Sequence, residues 1–373
     1  MKRLSLVKIL ITVICTVTFA SCSNKSPLVN EDNSLPRAAT PTELAESMDS
    51  LWARAAAENV ELHSVMIVQN DSVIYEHWDN GAHPDSLHFL YSVSKTFTSL
   101  GVGLAINEGL LSLDERVVDI FADFLPDSIG ENLAAMTIEN LLTMTSGHAH
   151  ATELYSSITE RSKSDSTLCW AREFLSAPVE YAPGTVFSYN SIASFMLSAA
   201  IQRRSGQKIF DYLTPRLFEP LGIEGARWEE NPEGINAGGW GLWLKTEDLA
   251  KTGQLMLDNG QWHGRQIIPA EWIKAMSARH VQSVAGSPNS TEFIPTEEDY
   301  ANSDWVQGYG YQVWRCRHNA FRADGSLGQF IVVIPDVDAV VAMTANSHTY
   351  QQQMNLIWDY ILPLLERGKQ KNM

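Results

Sequence analysis

The sequence predicts an α/β fold, an antiparallel sheet flanked by helices with a mostly helical domain inserted between its early and late strands. Three observations carry this. A pair of β-rich runs lies near the start, three more lie near the end, and the stretch between is helical in period and repeatedly broken by proline. With 373 residues, 45% in the hydrophobic set and 19% charged, the chain is globular and long enough to bury a large core without disulfide staples. Its 44 acidic residues outnumber 27 basic ones for a formal charge of −17, and three of the cations fall in the first 21 residues. Such an acidic body argues against nucleic-acid binding.

Lys2, Arg3 and Lys8 precede the uncharged stretch Ile9 to Ser21, too short to span a bilayer, so residues 1–21 read as a secretory leader. Phe19-Ala20-Ser21-Cys22 resembles a bacterial lipobox. Cys22 is therefore expected to carry lipid, with membrane contact through that anchor alone, on an exported cell-envelope protein facing the periplasm or the surface. An ordinary signal peptide cut nearby is the alternative. Residues 22–44 are polar, with Pro27 and Pro36, and read as a tether. Cys15 leaves with the leader, and Cys169 and Cys316 are expected as free thiols rather than a bridge.

Residues 45–111 supply the first part of the sheet domain. Val65–Val68 and Val73–Tyr75 flank Gln69-Asn70-Asp71, a hairpin signal. Ser92 to Leu111 is helical, with Gly101, Gly103 and Gly109 marking close packing. Residues 112–240 form the helical domain, with short helices such as Thr137–Leu142 and Ser191–Arg204 separated by Pro126, Pro183, Pro215 and Pro220. Residues 241–373 complete the sheet domain. Asp248–Leu257 is a helix with Thr246 as its cap, and Pro269–Arg279 is another. Val281–Ser303 reads as a long polar loop at the mouth of a site, followed by strands at Tyr309–Trp314, Gln329–Ile334 and Ala339–Thr344. Leu356–Leu365 closes the chain as a helix, against which only Pro363 speaks.

Ser92-Val93-Ser94-Lys95 fits S-x-x-K at a helix start. Three residues of helix put both side chains on one face, where an amine activates the hydroxyl, and the helix N-terminus favours a developing oxyanion. The spacing alone is weak, since Ser5-Leu6-Val7-Lys8 in the leader fits it too. About a hundred residues on, Pro183-Gly184 and Phe187 lead to Tyr189. A phenol beside a lysine ammonium is expected to have a depressed pKa and to carry protons between nucleophile and leaving group.

With these residues the sequence resembles the serine β-lactamase and penicillin-recognising family, most of all its class C, D-alanyl-D-alanine carboxypeptidase and esterase branch. Leu141–Gly147 resembles the family's L-L-x-H-T-S-G turn, with Met144 at the histidine position; Gly238–Leu242 running into Asp248-Leu249-Ala250 resembles its glycine-rich strand. The resemblance implies a β-lactamase-like fold and Ser92 as nucleophile. Lys95 would be the activator and Tyr189 the general base, then acid. It further implies an oxyanion hole made by the N–H groups of Ser92 and about Ser326, and no metal or organic cofactor. Two departures stand out. In the Y-x-N motif the third position is Ser191, with Asn190 one place early, and the K-T-G or H-x-G position holds Ala323-Asp324-Gly325. Arg322 supplies the missing cation only after a one-residue slip, which turns a strand side chain to the other face. Asn190, Ser191, Ala323 and Gly325 are the substrate-side positions that result.

In the family that cation meets a substrate carboxylate, so the expected activity is esterase or amidase chemistry on a small ester, amide or peptide lacking such a carboxylate. Carboxypeptidase or β-lactamase activity is the alternative, and a non-catalytic ligand-binding lipoprotein of the same fold is the rival outside enzymes. Lys251-Thr252-Gly253 spells the missing triplet inside a helix, by chance. Tyr91–Lys95 also fits the Y-x-x-x-K of short-chain dehydrogenases, but no G-x-G-x-x-G accompanies it; His148-Ala-His150 lacks a third ligand, and no G-x-S-x-G elbow is present. Trp170, Trp228, Trp240, Trp243, Trp305 and Trp314 are candidates for an apolar wall, Trp240 and Trp243 first.

Overall fold

The computed structural model describes residues 33–284 and 294–371, so the leader and Cys22 lie outside the described residues. The segment expected as a tether through residue 44 joins the body earlier. Leu35 is buried with its N–H donating to Glu247, and Arg37 bonds both Glu76 and Glu247 before α1 (Thr42–Ala57) begins. Ser34–Met373 form one compact unit, to which the early strands, the helical middle and the late strands all belong.

The hairpin forms as β1 (Leu62–Gln69) and β2 (Ser72–Trp78), turning on Asn70 and Asp71 at φ 49° and 61°. Those two residue types tolerate the left-handed conformation that a two-residue hairpin turn demands. The chain returns to this sheet at β3 (Trp314–Arg315), β4 (Phe321–Gly325), β5 (Gln329–Ile334) and β6 (Ala339–Ala345). All pairings are antiparallel, in the order β2-β1-β6-β5-β4-β3. The central strands are buried on both faces, which accounts for their near-continuous Val, Ile and Met runs. Val65, Ile67, Phe330 and Val341 pack on α1 and the closing helices, while Met66, Val68, Ile331 and Val340 face the helical layer.

That layer is built around α2 (Ser94–Asn107), α3 (Ser191–Ser205) and α4 (Thr246–Leu257). A Cβ on Gly103 of α2 would stand 2.4 Å from the Trp272 ring, so the glycine is required by the approach. Lys251-Thr252-Gly253 lies within α4, with Gly253 against Val340 and Ile331. The cap of α4 differs from expectation. Lys245 occupies the N-cap and its N–H donates to Asp248, while Thr246 bonds Ser64 of β1.

The segment expected as a polar loop contains a helix, Glu297–Asn302, capped by Thr296; residues 285–293 within it lie outside the described residues. Tyr309–Trp314 is not a continuous strand, because Gln312 at φ 64° reverses the chain and leaves Tyr309 bridged to Trp314. The closing helix starts early, as α5 (Tyr350–Leu356), passes through a wide π turn at Ile357–Ile361, and continues as α6 (Leu362–Lys371). Pro363 falls in the first turn of α6, where its missing N–H is tolerated. Cys169 and Cys316 are free thiols.

Candidate active site

Ser92 sits in a 3-10 turn, Tyr91–Val93, that leads into α2. Tyr91 holds a positive φ of 47°, and the first hydrogen bond of the turn runs from the Val93 N–H to the Leu90 carbonyl. The Ser92 N–H therefore precedes the bonded part of the turn, as an oxyanion donor must. Lys95, in the first turn of α2, is 1% exposed. Its Nζ lies 2.9 Å from Ser92 Oγ, 3.1 Å from Ser191 Oγ and 2.7 Å from the Gly239 carbonyl oxygen. Burial pulls its pKa down to about 7 against the opposing pull of Asp324. An uncharged amine has two N–H groups and one lone pair. The Gly239 carbonyl and Ser191 take the two donors, which aims the lone pair at the Ser92 hydroxyl.

The glycine-rich segment makes this contact because nothing but glycine fits. A Cβ on Gly239 would stand 2.7 Å from the Ser191 carbonyl oxygen. Tyr189 joins the pair from the other side, its ring centroid 4.9 Å from Lys95 Nζ and its hydroxyl near enough to Ser92 for the serine to favour the phenolate slightly. Its pKa moves opposite to expectation. Burial among Tyr309 and Trp314 pushes it well up, and the neighbouring amine, itself driven toward neutrality, offers no full charge to hold a phenolate. Tyr189 keeps its proton and Lys95 is the group placed to accept one.

The Leu141–Gly147 turn fixes these residues from below. Met144, at φ 59°, accepts the Ser188 N–H on its carbonyl and the Asn190 N–H on its sulfur. Asn190 is buried and caps α3, its Oδ1 accepting from the Ile192 and Ala193 N–H groups, and it does not line the cavity in front of Ser92. Ser191 likewise serves the lysine. A cavity of about 490 Å³ opens in front of Ser92, lined among others by Tyr189, Trp305, Trp314, Asp324, Ser326 and Tyr350. Trp240 and Trp243 are not part of that wall. Trp240 packs on Trp170 and Tyr155, and Trp243 lies between Phe89 and Arg227.

The Beta-lactamase family profile matches residues 47–366. The chain belongs to the beta-lactamase family. It is thereby a serine hydrolase. The 6-aminohexanoate-dimer hydrolase of Paenarthrobacter ureafaciens is 22% identical over 286 residues, covering 72% of this chain and 72% of that one. Penicillin-binding protein 4 of Amycolatopsis lactamdurans is 28% identical over 300 residues, covering 70% and 72%. Among solved structures, EstCE1, a hydrolase with promiscuous acyltransferase activity, shares the fold at a TM-score of 0.68 and 17% identity, over 86% of this chain and 98% of that one.

Within this beta-lactamase-family chain, β4 carries the Ala323-Asp324-Gly325 segment. On β4 the side chains of Phe321 and Ala323 enter the core beneath the sheet, so Ala323 does not face substrate. Arg322 and Asp324 occupy the other face. Arg322 is fully buried, donating to Asp324 Oδ2 at 2.7 Å, the Asp304 carbonyl at 2.9 Å and Cys316 Sγ at 3.2 Å. The strand therefore turns a carboxylate, not a cation, toward the cavity. Gly325 is there for space, since a Cβ would stand 2.3 Å from the Leu90 carbonyl oxygen. Ser326, exposed at the strand's end, lines the cavity. Sequence reasoning ranked Trp305 and Trp314 behind other tryptophans and did not find Tyr350; no local pattern distinguishes these rings from core aromatics. His148 is spent on Ser146 and the Phe174 carbonyl.

Proposed function

We propose that this chain hydrolyses small esters or amides through an acyl-enzyme. Ser92 Oγ attacks the substrate carbonyl carbon and its proton passes to Lys95 Nζ. The developing oxyanion is held by the N–H groups of Ser92 and Ser326. The leaving group takes a proton through Tyr189, which Lys95 replenishes, and water then cleaves the acyl ester by the reverse relay. The observation that carries this reading is the buried lysine, driven toward neutrality, 2.9 Å from the serine hydroxyl. Esterase or amidase activity is favoured over carboxypeptidase or β-lactamase activity because Arg322 is locked away and Asp324 takes its place at the cavity. Attachment to the cell envelope through lipid on Cys22 belongs to the same proposal, and the intact mass of the mature N-terminus tests it.

Ser92→Ala is expected to reduce turnover of a short-chain p-nitrophenyl ester by about a thousandfold or more. The fold should survive, because losing a hydroxyl at a helix start costs about 1 kcal/mol. A folded Ser92→Ala protein with undiminished activity would refute the mechanism. Rapid Ser92-dependent loss of a chromogenic cephalosporin would favour the β-lactamase alternative. No turnover of either would leave a ligand-binding lipoprotein.

A further inference from the structure

The charge in front of Ser92 is all of one sign. Among the described residues lining the cavity, Asp324 and Glu153 are acids, and no lysine, arginine or histidine joins them. The Asp324 side chain is only 10% exposed, and Arg322 engages its Oδ2. Its second oxygen meets no donor among the described residues. Arg322 lies behind the cavity wall, its guanidinium carbon 4.5 Å from the Trp305 ring and 5.6 Å from that of Trp314. The ion pair is thus an oriented dipole whose negative end reaches the cavity. A second guanidinium nearby, Arg317, is spent on Asp304.

The rest of the wall suits the same charge. Tyr189, Trp305, Trp314 and Tyr350 present aromatic surface to the cavity, and ring faces attract cations. Burial pushes the Asp324 pKa up against the opposing pull of Arg322 and Lys95, and an ammonium group beside its free oxygen favours the ionised carboxylate. A substrate carboxylate brought to the same place meets repulsion and no partner.

We infer that this cavity selects substrates carrying an ammonium group, with Asp324 as the specificity-determining residue and Glu153 adding attraction at the rim. The inference rests on the acyl-enzyme reading only in taking the cavity for the substrate site.

Two measurements test it. Titration calorimetry on the purified protein compares choline with 3,3-dimethylbutan-1-ol, its uncharged isostere. Choline is expected to bind about tenfold more tightly, in the wild type and in Ser92→Ala alike. The kinetic arm compares p-nitrophenyl esters of equal acyl length ending in trimethylammonium or tert-butyl. The expected kcat/KM ratio is about ten in favour of the cation, falling to near one in Asp324→Asn and by about half in Glu153→Gln. Equal binding of the two probes, or an ester ratio at or below one, overturns the inference. Should Asp324→Asn fail to fold, the wild-type ratios and the exposed Glu153→Gln variant decide. Discrimination by choline with no Ser92-dependent ester turnover supports the cation site and sinks the hydrolytic mechanism; Ser92-dependent turnover without discrimination does the reverse.

Discussion

Lys95 shows how one side chain's solvation decides a mechanism. An ammonium withdrawn from water loses its hydration, and three acceptors of partial charge replace that only in part. With its pKa brought down to about 7, the amine accepts and releases a proton near neutrality, where general-base catalysis is most effective. Loss of the Lys95 proton creates the base, so kcat/KM for an uncharged ester should rise with pH through a limb near 7 and then level off. A pH–rate profile flat from 5 to 9 would exclude the lysine as base. Lys95→Arg, which never deprotonates, should cost roughly 100- to 10,000-fold in kcat. Ser92, Lys95 and Tyr189 were legible as a group from spacing and flanking motifs. The direction of Tyr189's pKa was not, because a sequence gives neighbours without saying which of them stay charged once buried.

At the scale of elements, the start of α3 is where local pattern misleads. Asn190 looks like a displaced substrate contact, yet its amide oxygen is taken up in capping the helix that carries Ser191 to the lysine. Asn190→Ala should lower stability by about 1–2 kcal/mol, measured by thermal unfolding. It should lower kcat several-fold with little change in KM, because what drifts is a partner of Lys95 and not a substrate contact. Strand β4 makes a related point. Its period of two is readable from sequence, but which alternate set faces the site is fixed by Phe321 and Ala323 entering the core, a tertiary fact. Hence the cation sought at Ala323 lies at Arg322, on the site face and already paired.

Across the whole molecule, Asp304 fastens the cavity wall to the far end of the chain. Its carboxylate, wholly buried, accepts from Arg317 at 2.9 Å, Gln351 at 2.8 Å and Trp358 at 2.9 Å. Burial alone would raise its pKa, but Arg317, Arg322 and these hydrogen bonds prevail and hold it below the usual carboxylate range. A depressed folded-state value means that the stabilisation is complete above the unfolded-state pKa and is lost as pH falls through the folded one. Asp304→Asn, which leaves Arg317 without its counter-charge, should cost about 3–5 kcal/mol at neutral pH and flatten the acid limb of the stability curve, as urea titrations from pH 2 to 7 would report. The outline of the fold was legible wherever local signals sufficed, as at Asn70-Asp71. It failed where distant partners decide. Arg37 binds the early body to Glu76 and Glu247, 39 and 210 residues away, and a polar stretch with such anchors looks like a linker until it is folded.

The acceptor nearest Lys95 is the carbonyl of Gly239, a main-chain oxygen that no substitution deletes, at a position where a Cβ would meet the Ser191 carbonyl. Heritable change is therefore channelled. One acceptor of the proton-moving apparatus is an atom that no codon encodes, whereas Trp305, Val284 and Asp324 meet the cavity through side chains that a single mutation replaces. Substitution on this scaffold can therefore remodel the cavity wall while that main-chain contact stays in place.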